Sequence, residues 1–193
     1  MAGTTLPLRQ ISDDVFVATD EIVSFGAAAV DFIRERAAAS KRGRARICAH
    51  KSPDDRLHEM LIAMRSDTYI CPHRHRDKVE SFHLIDGSAD IVLITDDGGV
   101  DDVIELGPGA NLYYRLGVSR YHTVLINSPL LVIHEVTNGP FDPADSDFAK
   151  FSPPESADPA CRASIESYVA ALRSRVAQWK RANPNTRRGP ASG

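Results

Sequence analysis

No run of eighteen apolar residues occurs in this chain, which excludes a transmembrane helix. The first residues, MAGTTLPLRQISDD, lack the basic-then-apolar order of a secretory signal. Cysteine is scarce: Cys48, Cys71 and Cys161 follow neither metal nor redox spacing, and an odd count makes a poor disulfide framework. Free thiols in a reducing cytoplasm are the expectation. A charge excess is missing too. Lys and Arg number 23 against 26 Asp and Glu, and a net charge of -3 offers no bulk attraction to nucleic acid or to an anionic membrane. No internal repeat is visible. The remainder is ordinary for a globular chain, with 42% hydrophobic and 25% charged residues. At 193 residues there is room for one substantial domain with terminal extensions, and little for two.

Residues 14–24 (DVFVATDEIVS) read as one or two short strands, ended by Gly26. AAAVDFIRERAAAS follows, with Val30, Ile33 and Ala37 on one face of a short amphipathic helix. The basic run KRGRAR (41–46) is either a solvated loop or an anion-recognition loop, since arginine forks suit phosphate and carboxylate. From 46 to 137 the texture changes. ARICAH, RLHEMLIAM, TYICPHRH, ESFHLI, ADIVLIT, DDVIEL, NLYYRL, HTVLIN and LLVIHEV are short runs rich in β-branched or aromatic residues. Turn signals such as Asp86-Gly87, Asp97-Gly98-Gly99 and Gly107-Pro108-Gly109 separate them, and Asp-Gly or Gly-Gly pairs between apolar runs mark hairpins. That many strands without an intervening helix imply an antiparallel sandwich or barrel.

After Val136 the chain turns irregular: NGPFDPADSDFAKFSPPES holds four of the twelve prolines. Its Phe141, Phe148 and Phe151 could pin it across the surface of the sheet. Residues 158–182 predict a helix with Pro159 in its first turn and a stripe of Ile165, Tyr168, Val169, Leu172, Val176 and Trp179. That stripe either packs on its own domain or mediates self-association, the latter predicting a homodimer. The tail NPNTRRGPASG is expected to be disordered. The division is a strand-and-helix extension over 1–45, a β-barrel over 46–155, and a helix with its tail over 156–193.

One constellation carries chemistry. His73 and His75, at i and i+2, lie on one face of a strand because strand side chains alternate. Glu80 can return to that face from the next strand, and His122 can complete a mixed nitrogen and oxygen shell. Such donors suit Fe(II), Mn(II), Ni(II), Cu(II) or Zn(II), and geometry chooses among them. Alternation groups Glu80 with Phe82 and Leu84, which turns His83 away, and groups His122 with Val124 and Ile126. His50 and His58 read as surface or hydrogen-bonded sheet residues, and Arg74 as a structural or interface residue facing away from its neighbours. Cys71 is in phase with the histidines and reads as a small buried filler. Glu135 could orient a ligand histidine or cap a rim. Tyr113, Tyr114 and Tyr121 could line a cavity or simply pack.

These residues also carry a family likeness. PHRHRDKVESFHLIDG resembles the first cupin motif, Gly-x5-His-x-His-x3-4-Glu-x6-Gly, through His73, His75, Glu80 and Gly87, with Asp67 at the leading glycine. LGVSRYH resembles the second, Pro-x-Gly-x2-His-x3-Asn. There His122 is kept, Gly117 and Ser119 replace the Pro and Gly, and Asn127 comes one residue late. Together with CAHKSPDDRLHEMLIAM, LITDDG, YHTVL and HEVTNGPFDPADSDFAKFSPPE, these segments resemble the WbuC family of cupin-fold metalloproteins over roughly residues 8 to 155. The resemblance implies an all-β, antiparallel, jelly-roll-like cupin barrel with a short N-terminal helix and a C-terminal helix. It also implies one divalent metal ion on His73, His75, Glu80 and His122, and a setting in bacterial O-antigen or surface-polysaccharide synthesis. The expected ligand is a sugar or nucleotide sugar, isomerised, epimerised or cleaved by Lewis-acid activation. The alternatives are an Fe(II)-dependent dioxygenase and a non-catalytic, metal-dependent small-molecule binder.

Overall fold

A computed structural model describes residues 6–156 and 158–184. The order of elements is β1 (Leu8–Ser12), β2 (Val15–Ala18), α1 (Ala27–Ala39), β3 (Arg44–Cys48), β4 (Leu57–Arg65), β5 (His73–His75), β6 (Glu80–Asp86), β7 (Ala89–Ile94), β8 (Val100–Leu106), β9 (Tyr113–Leu116), β10 (Tyr121–Ile126), β11 (Leu130–Asn138), β12 (Ser146–Phe148) and α2 (Pro159–Ala182). The nine segments singled out between 46 and 137 correspond to β3 through β11. The expected tail lies, from residue 185 on, outside the described residues.

The described residues are mostly β with two α-helices, and their strands form two sheets. One runs β1-β2-β3-β4-β11-β6-β9, the other β12-β5-β10-β7-β8. The two ladders are not closed by hydrogen bonds into one barrel; they stack face to face. Pairing is antiparallel with one exception, β2 against β3. That exception has a plain cause: α1 joins the two strands as a crossover, and a crossover helix returns the chain in the same direction.

Four layers result. Ala29, Ile33 and Ala37 of α1 bury against Ala45, Ile47, Leu61, Ala63 and Val132 on the outer face of the seven-stranded sheet. Between the sheets lie Met64, Phe82, Ile91, Leu93, Val124 and Ile133 among others. On the far side Leu172 and Val176 of α2 bury against Val92, Ile94, Val103, Tyr121 and Leu125, with Tyr168, Val169 and Trp179 packed alongside. The apolar stripe of α2 therefore covers its own sheet. Covered on both faces, β7 and β10 are buried along their whole length, which explains why ADIVLI and YHTVLI do not alternate between apolar and polar residues. The side chain of Asp158 caps α2 by accepting from the Ala160 amide at 2.9 Å.

Two strands depart from the sequence reading. β1 is a polar edge strand, LRQIS, largely exposed. β12 is three residues inside the irregular stretch and exists through pairing with β5, Phe148 opposite His73 and Ser146 opposite His75. Gly87 closes the β6–β7 hairpin at φ +89°, where a Cβ would also meet the Leu130 carbonyl oxygen at 2.3 Å. Both reasons demand glycine there. No helix among the described residues is long and apolar enough to cross a membrane.

Candidate metal centre

The sheets bring the four sequence-selected residues together from opposite sides. β5 and β10 are neighbours, with His73 opposite His122 in the register, and alternation places His75 on the same face. Glu80 is the first residue of β6 in the facing sheet, so the link of residues 76–79 carries the chain across the sandwich. One donor atom from each of His73, His75, Glu80 and His122 lies within 4.8 Å of the others. Glu80 and His122 are almost wholly buried, at 4% and 1% exposure.

The hydrogen bonds around the rings settle their orientation. Nδ1 of His73 lies 2.9 Å from the Cys71 carbonyl oxygen, and Nδ1 of His122 lies 3.0 Å from that of Arg120. A carbonyl only accepts, so each Nδ1 carries the proton and donates, leaving the Nε2 lone pair facing the cluster. His75 Nδ1 is 3.3 Å from the Ser146 hydroxyl. His122 Nε2 approaches Glu80 Oε1 at 3.0 Å, and His75 Nε2 approaches Oε2 at 3.5 Å. Even so, Nε2 of His122 and Oε1 of Glu80 are buried without an aligned hydrogen-bond partner. Buried polar atoms are normally satisfied. Two buried ligand atoms without an aligned hydrogen bond, beside two further imidazoles, fit a cation better than they fit a self-contained hydrogen-bond network.

Electrostatics agree. Burial opposes the charge on Glu80, but the surrounding histidines, His122 foremost, hold its carboxyl below the ordinary range. His73 is pushed down to about 4 by burial and by His122, which keeps it a neutral ligand at physiological pH. Glu135 behaves in the opposite way. Burial and then the charge of Glu80 raise its carboxyl to about 7.

The cluster sits at the inner end of a cavity of about 350 Å³ between the sheets. Apolar walls come from Ile62, Met64, Ile70, Phe82, Val124 and Ile133, while Arg42, Arg44, Arg46 and Glu135 supply charge. The basic run is therefore not simply a loop: Arg44 and Arg46 are in β3, and Arg42 precedes it. Their position was concealed by the charge density of KRGRAR, although the alternation of ARIC after it was visible. Ser146, also missed, sits in a strand too short to signal itself.

Other candidates lie elsewhere. His50 and His58 stack on each other, centroids 4.2 Å apart, with His50 Nδ1 at the Glu59 backbone and His58 Nε2 at the Pro53 carbonyl. His134 faces away from Glu135, stacked on His83 and 3.9 Å from Glu59. Arg74 points away from the cluster to Asp147, and lies over the ring of Tyr121. Cys71 is buried beside Ser152 and Pro153, outside the ligand set. Of the three tyrosines, Tyr113 lies tilted against His83, Tyr121 donates to Asp147, and Tyr114 is buried against Phe82.

Comparison with known proteins adds the following. No curated protein matches the chain. Among solved structures it is similar to protein SO0799 from Shewanella oneidensis, with 14% identity and a TM-score of 0.49, covering 69% of this chain and 87% of that one. It is also similar to oxalate decarboxylase from Bacillus subtilis, with 16% identity and a TM-score of 0.40 over 49% of this chain and 24% of that one. The capsular polysaccharide assembling protein CapF from Staphylococcus aureus shows 21% identity and a TM-score of 0.43 over 54% and 31%. The chain thus spans a third or less of the last two. A family model described as a domain of unknown function, DUF6016, matches residues 25–106, a segment that holds the arginines of β3 together with His73, His75 and Glu80 and stops short of His122.

Proposed function

We propose that this chain is a cupin-type metalloprotein in which His73, His75, Glu80 and His122 hold one divalent ion, and that it acts on a sugar or nucleotide sugar in bacterial surface-polysaccharide synthesis. The observation that carries the metal assignment is the convergence of four donor atoms within 4.8 Å, two of them buried without an aligned hydrogen bond. A bound divalent ion supplies Lewis-acid polarisation of a carbonyl or hydroxyl oxygen. The chain's own residues do the rest. The Cys71 and Arg120 carbonyls fix two rings as Nε2 donors, and the Ile62, Met64 and Phe82 walls exclude water from one side of the ligand. Glu135 faces the same cavity with a carboxyl near 7, a value suited to giving and taking a proton at neutral pH, while Glu80 stays ionised. Support for the sugar ligand comes from the motif likeness to the WbuC family and from a cavity in the size range of small-molecule sites.

Metal analysis of protein purified without chelator tests the first half: about one ion per chain is expected, and none would overturn it. Incubation of the loaded protein with a panel of sugars and nucleotide sugars, followed by NMR, tests the second. Isomerised or cleaved product supports the proposal. Iron as the resident ion, with oxygen uptake on the panel, would replace it with the dioxygenase reading that a three-histidine, one-carboxylate shell also allows. Tight binding without turnover would make the protein a binder.

A further inference from the structure

β3 places charge where a β-sandwich ordinarily places hydrocarbon. Ala45 and Ile47 turn outward and bury under α1. Alternation then turns Arg44 and Arg46 to the inner face, where their register partners on β4 are Met64 and Ile62, both walls of the cavity. Arg42 joins them from the preceding turn. Three guanidinium groups crowd the open end of a cavity whose inner end is the histidine cluster. Burial, together with Arg42 and Arg46, disfavours the charge on Arg44, and Glu155 opposes that effect.

The partner of this cluster is informative. Oε1 of Glu155 accepts from Arg42 Nη2 at 2.6 Å and Nε at 3.2 Å. Both its oxygens accept from Arg44 Nη2, at 2.9 and 3.1 Å. Glu155 comes from the segment after β12, more than a hundred residues away, and is held by no regular element. Arg46 has no side-chain hydrogen bond or ion pair among the described residues; it lines the cavity together with Asp14 and Glu135, and its charge acts to lower the Glu135 carboxyl. A carboxylate already seated in an arginine fork shows what chemistry the fork takes.

We infer that Arg42, Arg44 and Arg46 form an anion subsite at the open end of the cavity, so that the ligand carries a phosphate or carboxylate in addition to the oxygen that meets the metal centre, and that Glu155 fills the subsite until the ligand displaces it. This rests on the proposed function for the identity of the inner end and on the arginines alone for the outer one. Three strand spacings, about 14 Å, separate β3 from β6. That separation leaves room for a ligand reaching from the histidine cluster to the arginines, with its anion at the far end, as the phosphate of a sugar phosphate or nucleotide sugar would be.

The test uses the full chain carrying His73→Ala/His75→Ala, which removes two of the four donors, so that anion binding is read without the metal. Inorganic phosphate and, separately, acetate are titrated by calorimetry at low salt. One saturable anion per chain is expected, weakening as salt rises, and the tighter probe identifies the group recognised. Adding Glu155→Gln removes the resident carboxylate and tightens phosphate by about tenfold. Arg44→Met/Arg46→Met, checked by its melting curve, loses binding. If Glu155→Gln weakens or leaves unchanged the binding of phosphate, or if neither anion saturates in that background, the inference is overturned. The Glu155 variant decides the matter even where the arginine variant does not fold. Absence of metal from the wild-type protein with phosphate binding intact would sink the metal reading and leave this one standing.

Discussion

Two groups of histidines in this molecule sit in or beside strands and do opposite things. His73, His75 and His122 turn to the inner face; His73 and His122 donate through Nδ1 to backbone carbonyls, His75 Nδ1 pairs with the Ser146 hydroxyl, and the three rings converge on Glu80. His50 and His58 lie flat on each other, 9° from parallel, with ring nitrogens taken up by the backbone at Glu59 and Pro53. Proximity of imidazoles is common to both. What differs is whether a carboxylate shares the space and whether the remaining ring nitrogens converge on it. In the candidate metal site, what fixes the far side of each ring matters as much as the ligands themselves.

The comparison can be broken most decisively by substitution. His73→Ala/His75→Ala is expected to abolish stoichiometric metal, while His50→Ala/His58→Ala retains it and costs about 1–3 kcal/mol of stability, because the Glu59 amide loses the His50 acceptor and the Pro53 carbonyl keeps only the Phe141 amide. Elemental analysis and denaturant unfolding read the two effects; metal lost from the second variant would erase the distinction. Glu80→Gln keeps the shape and removes the charge, and should weaken the metal more than about a hundredfold in a chelator competition.

Chelation of the loaded wild-type protein, starting from free metal at about 100 times Kd, removes about 2.7 kcal/mol of linkage. The melting temperature should fall by about 5–10 °C for a chain of this size. The His73→Ala/His75→Ala protein should show no such fall. Ser146→Ala removes only the hydroxyl beside His75 and should weaken the metal about tenfold, the low end for residues that orient a ligand. Smallest of all, His83→Ala/His134→Ala, at the outer face, should change stability by less than about 0.5 kcal/mol and leave metal affinity alone.

Much of this was legible along the chain. Gly87 announces its hairpin because positive φ is a local property, and the apolar runs of β7 and β10 announce strands covered on both sides. His73 and His75 reveal a shared face because the period of a strand is two. β12 was not legible, since SDF has no strand propensity of its own and is organised by β5. Glu80 was legible as a partner of the histidines from the next strand, β6; that this strand belongs to the facing sheet was not. Arg44 and Arg46 read as either solvated charge or an anion-recognition loop, and the choice stayed open because the pairing that reveals their direction, with Met64 and Ile62 on β4, depends on register.

Spacing and alternation along the chain were enough to select His73, His75, Glu80 and His122, since those relations follow from backbone geometry and act over a few residues. Which sheet each one joins, the tautomer of each ring, the raised carboxyl of Glu135 and the seating of Glu155 on Arg42 and Arg44 arise only when distant segments pack. Those features depend on contacts between residues far apart in sequence, on burial and on the charges that burial brings close, and no local pattern encodes them.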